Sequence, residues 1–408
     1  MLMTKGSIIK NVNVIDVKSG NLIEKQDVTI SNGRVEEIKS TRSGIDDSSF
    51  HAIDGTGKFL LPGFADLHVH LNWDGGCNPR QTLSDELPRI ALLRAYQHAI
   101  DHLAIGVTTL FDANSAEDLA IDLATAIRQG IVKGPRLFAS GRIICIIGGH
   151  GAGLVHEVLG YEISGKDEAL RATRTLIKKG ADYLKISATS GAYGNFGAEK
   201  LESIQLDPEE IRTITSEAAK YNIRVSAHAL NLQGIKNSVD NGVKLIHHGA
   251  FLDQDTAKEM HRKKVSLVPT LLIYSSLAEG ETTLPSYIVE KAKKITKNHR
   301  EAFMHAMEQG VNIAGGTDAY SPNFGPRPTI LDEAITMGKY GMPNKEVLKA
   351  LTLNAAEALG NEKEYGSIEQ GKVADLVMLK ENPLVSLENI KKTHLVLLNG
   401  EIVNAHLL

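Results

Sequence analysis

The sequence is poor in several features that would point to particular classes of protein. Among 408 residues there are two cysteines, Cys77 and Cys145, far apart and in no Cys-x-x-Cys pair, so neither a disulfide framework nor a thiolate zinc site is indicated. Lys+Arg number 45 against 49 Asp+Glu, a formal charge of −4, and no dense basic block occurs, which argues against a nucleic-acid partner. No run reaches the ~18 uninterrupted apolar residues of a membrane-crossing helix, and the N-terminus MLMTKGSIIKNVNVIDVKSG has no continuous apolar segment of signal-peptide type. These absences predict a cytoplasmic protein with small-molecule partners and no membrane contact.

What is present is an ordinary globular composition, 42% hydrophobic and 23% charged, in a chain too long for one small core. Residues 1–60 alternate short β-rich runs (SIIKNVNVIDV, QDVTI, RVEEI, HAIDGTGKFLLPG) with turn signals. The stretch 361–408 repeats that style in GKVADLVML and HLVLLNGEIVN, with a turn-like Asn399-Gly400 pair. The two ends therefore predict one small antiparallel β domain assembled from noncontiguous pieces.

Between them, over 61–360, short apolar runs alternate with helical periods. The runs end near His70, Asp112, Gly141, Ser187, His228, His248, Thr270 and Asp318. Helical segments intervene: DEALRATRTLIKKG, DPEEIRTITSEAAKYN, NLQGIKNSVDNG, QDTAKEMHRKK and HREAFMHAMEQG. In the second, Asp207, Pro208 and Glu210 stand where an N-cap, a first-turn proline and a capping-box glutamate belong. Eight βα units predict an α/β fold, a (β/α)8 TIM barrel joined to the small β-sandwich domain. A doubly wound sheet would instead require a glycine-rich turn after the first strand, and Leu71-Asn72-Trp73-Asp74 is not one.

In a barrel, catalytic residues gather at the C-terminal ends of the strands. Those ends carry His68, His70, Asp112, Lys185, His228, His248, Thr270 and Asp318. In His68-Val69-His70 the period of two sends both imidazoles to one face, where they can chelate one ion. Singly, each histidine reads as a core or rim residue and Asp318 as a hydrogen-bond acceptor; jointly they read as a metal site. An ammonium at Lys185 would be repelled by a dication, but an amine condensed with CO2 becomes a carbamate able to bridge two metals.

The segments LPGFADLHVHLNWD, GVTTLFDAN, DYLKISATSG, VSAHAL, LIHHGA, GGTDA and GSIEQGKVADLVML together resemble the amidohydrolase superfamily over nearly the whole chain. The resemblance implies a site of two ions, commonly Zn2+. It places His68 and His70 on the more buried ion, His228 and His248 on the other, the Lys185 carbamate between them, and Asp318 on metal and hydroxide. His248 is preferred to His247 because the family's ligand stands directly before Gly.

In such a site Asp318 would act as general base and then general acid. Lys185 together with HAL, HHGAFLD and VPTLLIY looks most like the prolidase-like carboxypeptidases, which release the C-terminal residue of dipeptides and short peptides. Leu230 departs from the aromatic or histidine of many relatives at that position. Imidazolonepropionase-like cyclic-amide hydrolases are the neighbouring alternative, as is Xaa-Pro dipeptidase activity, and a noncatalytic binding protein would be expected to lack a ligand.

His150, in the glycine-rich IIGGHGAG, is a candidate donor to the substrate carboxylate or oxyanion, and Arg142 and Tyr193 are candidates for binding the carboxylate. The reading leans to release of Arg or Lys, with Asp74, Asp112, Glu157, Asp253 and Glu333 as candidate acidic pocket residues. The resemblance also makes a homo-oligomer the expectation.

Overall fold

The computed structural model describes residues 6–41, 50–152, 158–193, 200–280 and 283–403, apart from positions 323, 326 and 328. It is a TIM barrel with a small β-sandwich domain, and the chain divides into two compact units. One comprises Met1–Ala65, Ile100–Thr109 and Met337–Leu408, the other Asp66–Ala99 and Leu110–Thr336. No described helix is long and apolar enough to cross a membrane.

The first unit opens with β1 (Gly6–Asp16), β2 (Asn21–Ser31), β3 (Arg34–Ser40), β4 (Phe50–Asp54) and β5 (Phe59–Pro62). β1, β2 and β3 pair antiparallel, but β4 and β5 both lie parallel to β1, so the sheet is mixed where the turn signals predicted an antiparallel one. The difference arises because β4 runs beside Gly6–Lys10 and β5 beside Asn13 and Val14, so the chain continues through 55–58 in one direction along β1 instead of reversing. Asn32 and Gly33 have φ of 50° and 76°, the left-handed pair that suits a two-residue hairpin turn.

The barrel strands follow as β6 (Phe64–Val69), β7 (Val107–Asp112), β8 (Arg136–Ala139), β9 (Ile143–Ile146), β10 (Gly160–Ile163), β11 (Tyr183–Ser187), β12 (Arg224–Ala229), β13 (Leu245–His248) and β14 (Ser266–Val268). β6 and β7 are buried at every position, as expected of parallel strands covered on both faces. The run expected to end near Gly141 continues beyond it. Gly141 takes φ 69°, and a Cβ there would stand 2.7 Å from the Asp118 carboxylate, so the strand breaks and resumes as β9, which pairs with β10 and β11.

The eighth position is closed by single bridges, Leu267 with Ile313 and Val69 with Ala319. Backbone bonds from Leu67 to Gly315 and from Ala314 to Leu267, each 2.9 Å, hold the segment between them. Gly316 permits this approach, since a Cβ there would lie 2.3 Å from Val268 and 3.1 Å from the His68 nitrogen.

The helices start and stop where local chemistry directs. Pro208–Ala219 carries the complete Asp207/Glu210 capping box. Leu232–Asp240 and Gln254–Lys263 are capped by Asn231 and Asp253, and Lys166–Lys179 ends on left-handed Gly180. The segment HREAFMHAMEQG belongs to a longer helix, Ser286–Glu308.

After the barrel, β15 (Leu376–Leu379), β16 (Thr393–Leu398) and β17 (Glu401–Ile402) return to the first sheet, giving the order β17-β16-β15-β5-β1-β2-β3. Asn399 and Gly400 form the predicted turn, with φ of 49° and 76°. Ile9, Val14, Val28, Leu60, Leu376 and Leu397 share one apolar core, so both ends of the chain build it.

Candidate metal centre

The strand ends bring the expected residues together. His68 lies in β6 and His70 directly after it, Lys185 in β11, His228 in β12, His248 at the end of β13, and Asp318 on the closing segment; all six are buried. The His68 ring is 5.2 Å from that of His70 and 5.1 Å from that of His248, and His228 lies 4.5 Å from His248. Asp318 Oδ1 is 2.9 Å from His70 Nε2 and 3.6 Å from His68 Nε2. Ligand atoms of His68, His248 and Asp318 all fall within 4.8 Å of one another. His248 and Asp318 have φ of 72° and 67°, backbone strain of the kind that collects at functional sites.

Each imidazole is oriented through one ring nitrogen. His70 donates through Nδ1 to the Asn114 carbonyl at 3.0 Å, and His228 through Nε2 to the Ser190 carbonyl at 3.1 Å. A carbonyl only accepts, so each of these rings donates there and turns its other nitrogen toward the cluster. His248 Nδ1 meets the Thr270 hydroxyl at 2.7 Å, and His68 Nδ1 meets Nδ1 of His247 at 2.8 Å. Such outer partners fix ring orientation and tautomer around a metal.

Burial holds the imidazoles of His68, His228 and His248 in their neutral, ligand-competent form. It pushes His68 and His248 well below the ordinary histidine range and His228 down to about 3, with the Lys185 charge acting in the same direction. Burial also lowers Lys185 to about 7, against the attraction of Asp318, and its Nζ has no hydrogen-bond partner among the described residues. Burial raises Asp318, but the His70 hydrogen bond and charge, the Ser321 hydroxyl (2.5 Å) and Lys185 outweigh it and leave the carboxyl below its usual value. Four imidazoles, one carboxylate and an amine free of any described hydrogen bond form a donor set that fits divalent transition metal ions.

Side chains of the cluster line a pocket open to solvent. His150 lines it, its ring stacked 4.1 Å from His228, and Gly191 leaves that space, because a Cβ there would lie 2.2 Å from His150 Cε1. Tyr193 also lines it, its hydroxyl 3.1 Å from Asn78 Oδ1. Arg142 stands elsewhere, its guanidinium 3.8 Å over the Tyr161 ring and its Nε 3.4 Å from Asp118.

The acidic candidates are engaged in the framework rather than the lining. Asp74 accepts from Thr82 and from the Gly76 amide, and Asp112 accepts from the Leu71 amide, with burial raising it to about 6. Asp253 caps its helix, and Glu333 accepts from the Leu271 and Leu272 amides; Glu157 lies outside the described residues. Burial pushes Glu333 up to about 8 even against those two donors.

Several supporting residues were not singled out from the sequence. Trp73 stacks on His70 at 4.7 Å, and Tyr274 sets its ring against His248 at 5.5 Å. His299 donates to the His248 carbonyl at 3.0 Å from the helix Ser286–Glu308. Asp66 accepts from the Thr317 hydroxyl at 2.7 Å and from the His68 amide at 3.2 Å, tying the first strand to the closing segment. Only Asp66 had an available clue, its position two residues before His68 on the same strand face.

Residues 59–403 match the model of the amidohydrolase family, and the chain belongs to that family. It is 30% identical to the ochratoxinase of Aspergillus niger over 358 residues, covering 81% of this chain and 72% of the relative. Among solved structures it is similar to a Xaa-Pro dipeptidase with bound methionine in the active site, at TM-score 0.89 and 29% identity, covering 98% of this chain and all of the other (100%). A prolidase complexed with N-methylphosphonate-L-proline gives 0.88 and 28%, covering 98% and 99%. The family generally binds divalent metals, and the His/Asp cluster stands where they would be held. The protein is a hydrolase of amidohydrolase type.

Proposed function

We propose that this enzyme hydrolyses the amide bond of dipeptides or short peptides and releases the C-terminal amino acid, using two zinc ions. His68 and His70 would hold one ion, His228 and His248 the other, with Lys185 as a carbamate between them and Asp318 beside both. The observation that carries the reading is Lys185, a buried amine with no described hydrogen-bond partner among buried imidazoles. A neutral amine adds to CO2 with loss of one proton, and the product is an anionic two-oxygen ligand in place of a buried cation.

Bound there, the ions supply an activated water and a Lewis acid for the scissile carbonyl. Asp318, ionised and held by Ser321, takes the proton from the water and hands it to the departing amine nitrogen. His150, stacked on His228 at the cavity wall, donates to the developing oxyanion or to the substrate carboxylate.

The lining favours an apolar released residue over the Arg or Lys expected from the sequence. Trp73, Ile143, Ala192, Ile273, Tyr274 and Leu277 supply apolar walls, and Asp318 is the only carboxylate among the described lining residues. A buried cation would lack a partner there. The methionine and the proline analogue named for two structural neighbours agree with this choice. The test is zinc-loaded protein against dipeptides ending in Pro, Met, Leu, Arg, Lys or Asp, scoring the amino acid released. Pro, Met and Leu should lead; faster release of Arg or Lys would overturn the apolar pocket, and opening of a cyclic amide without any dipeptide hydrolysis would overturn the peptidase reading.

A further inference from the structure

Thr270 occupies the N-cap position of the helix Leu271–Ala278, with left-handed backbone (φ 50°, ψ 55°) and no side-chain cap bond. A threonine there ordinarily accepts from its own helix's free amides. Here the hydroxyl is committed to His248 Nδ1 at 2.7 Å. The amides of Leu271 and Leu272 are taken by Glu333, from the helix Ile330–Lys339, through Oε1 at 2.6 Å and Oε2 at 2.9 Å. Glu333 is fully buried (0% exposed), so this grip is shielded from competing water.

The helix so gripped carries Ile273, Tyr274 and Leu277 into the cavity wall, and its Tyr274 ring rests against His248. A carboxylate with one oxygen on each of two successive amides fixes the helix both along its axis and about it, which a single cap bond does not. We infer that Glu333 is a positioning residue that sets where the apolar wall meets the released residue's side chain and leaves Thr270 to orient His248. The inference rests on the reading of this cavity as the pocket for that side chain.

Compared with wild type at about pH 9, above the value of about 8 to which burial raises the Glu333 carboxyl, Glu333→Gln preserves size and one acceptor but turns an N–H toward the second amide. For dipeptides ending in Met or Leu, whose side chains reach the wall, KM should rise about 5- to 10-fold while kcat falls less than about twofold and bound metal per chain holds. For a dipeptide ending in Gly, KM should move less than about twofold. Glu333→Asp, shorter by one methylene, should lie between Gln and wild type. An equal KM change for Gly-ending and Met-ending substrates, or loss of metal with KM steady, would overturn the assignment. Hydrogen exchange at the Leu271 and Leu272 amides supplies a readout independent of any substrate. It should quicken more than about tenfold in the Gln variant even if the wild type cleaves no dipeptide, and unchanged exchange would refute the grip itself.

Discussion

Replacing Lys185 by Met should make the metal-free protein more stable, although the same change should abolish the metal centre. Burial brings the Lys185 amine from 10.5 to about 7, with no described hydrogen bond to compensate. One pH unit corresponds to ~1.4 kcal/mol, so burying this group costs on the order of 5 kcal/mol at pH 7 and below. Between pH 7 and 10.5 the unfolded chain binds the extra proton and the folded chain does not, so this contribution to stability rises with pH across that window. Methionine, apolar and of similar length, carries no such penalty. In EDTA and CO2-free buffer, Lys185→Met should therefore exceed wild type by a few kcal/mol at pH 7, and the gap should close toward pH 10.5. Adding zinc and bicarbonate should stabilise wild type far more than the variant. Urea unfolding of both proteins at a series of pH values measures this directly. A Met variant less stable than wild type at pH 7 without metal, or a gap that ignores pH, would refute the account of a buried amine awaiting an anionic form.

Asp318→Asn should keep its metal but lose about 100- to 10,000-fold in kcat, and metal analysis beside a rate measurement tests both halves; near-normal turnover would remove Asp318 as proton carrier. Gly191→Ala places a methyl 2.2 Å from His150 Cε1, so the ring must leave its stack on His228 and kcat/KM should fall at least tenfold. Thr270→Val removes the hydroxyl at His248 Nδ1 and should weaken zinc binding by about 10- to 100-fold in a chelator competition. Asp207→Ala breaks the capping box and should lower stability by ~1 kcal/mol with full activity, checked by denaturation and by turnover of the same samples.

Local chemistry was legible because it repeats at short range. Asp207 and Glu210 announce a helix start three residues apart, and His68 and His70 announce a shared face through strand periodicity. The strand-end residues could be gathered into one site because a barrel converts eight separate positions into one ring. What stayed hidden depends on partners far away in the chain. Nothing near Glu333 says that its carboxylate will reach the amides of Leu271 and Leu272, and nothing near Arg142 says that Tyr161 and Asp118 will hold it. The irregularity of the eighth position was hidden for the same reason, since Gly316 lets the closing segment approach β6 and β14 through single bridges that no local pattern announces.

The central strand of the small sheet, β5, pairs with β1 on one side and with β15 on the other, Leu61 meeting Val377. About 300 residues separate those partners, and a ribosome adding roughly 5–20 residues per second takes on the order of tens of seconds to cross them. Throughout that interval Leu60 and Leu61, fully buried in the finished protein, belong to a sheet with an open apolar edge. The nascent chain thus carries an open apolar sheet edge until β15 is made, and this fold should depend on a holding chaperone during synthesis more than a barrel whose small domain is encoded in one piece.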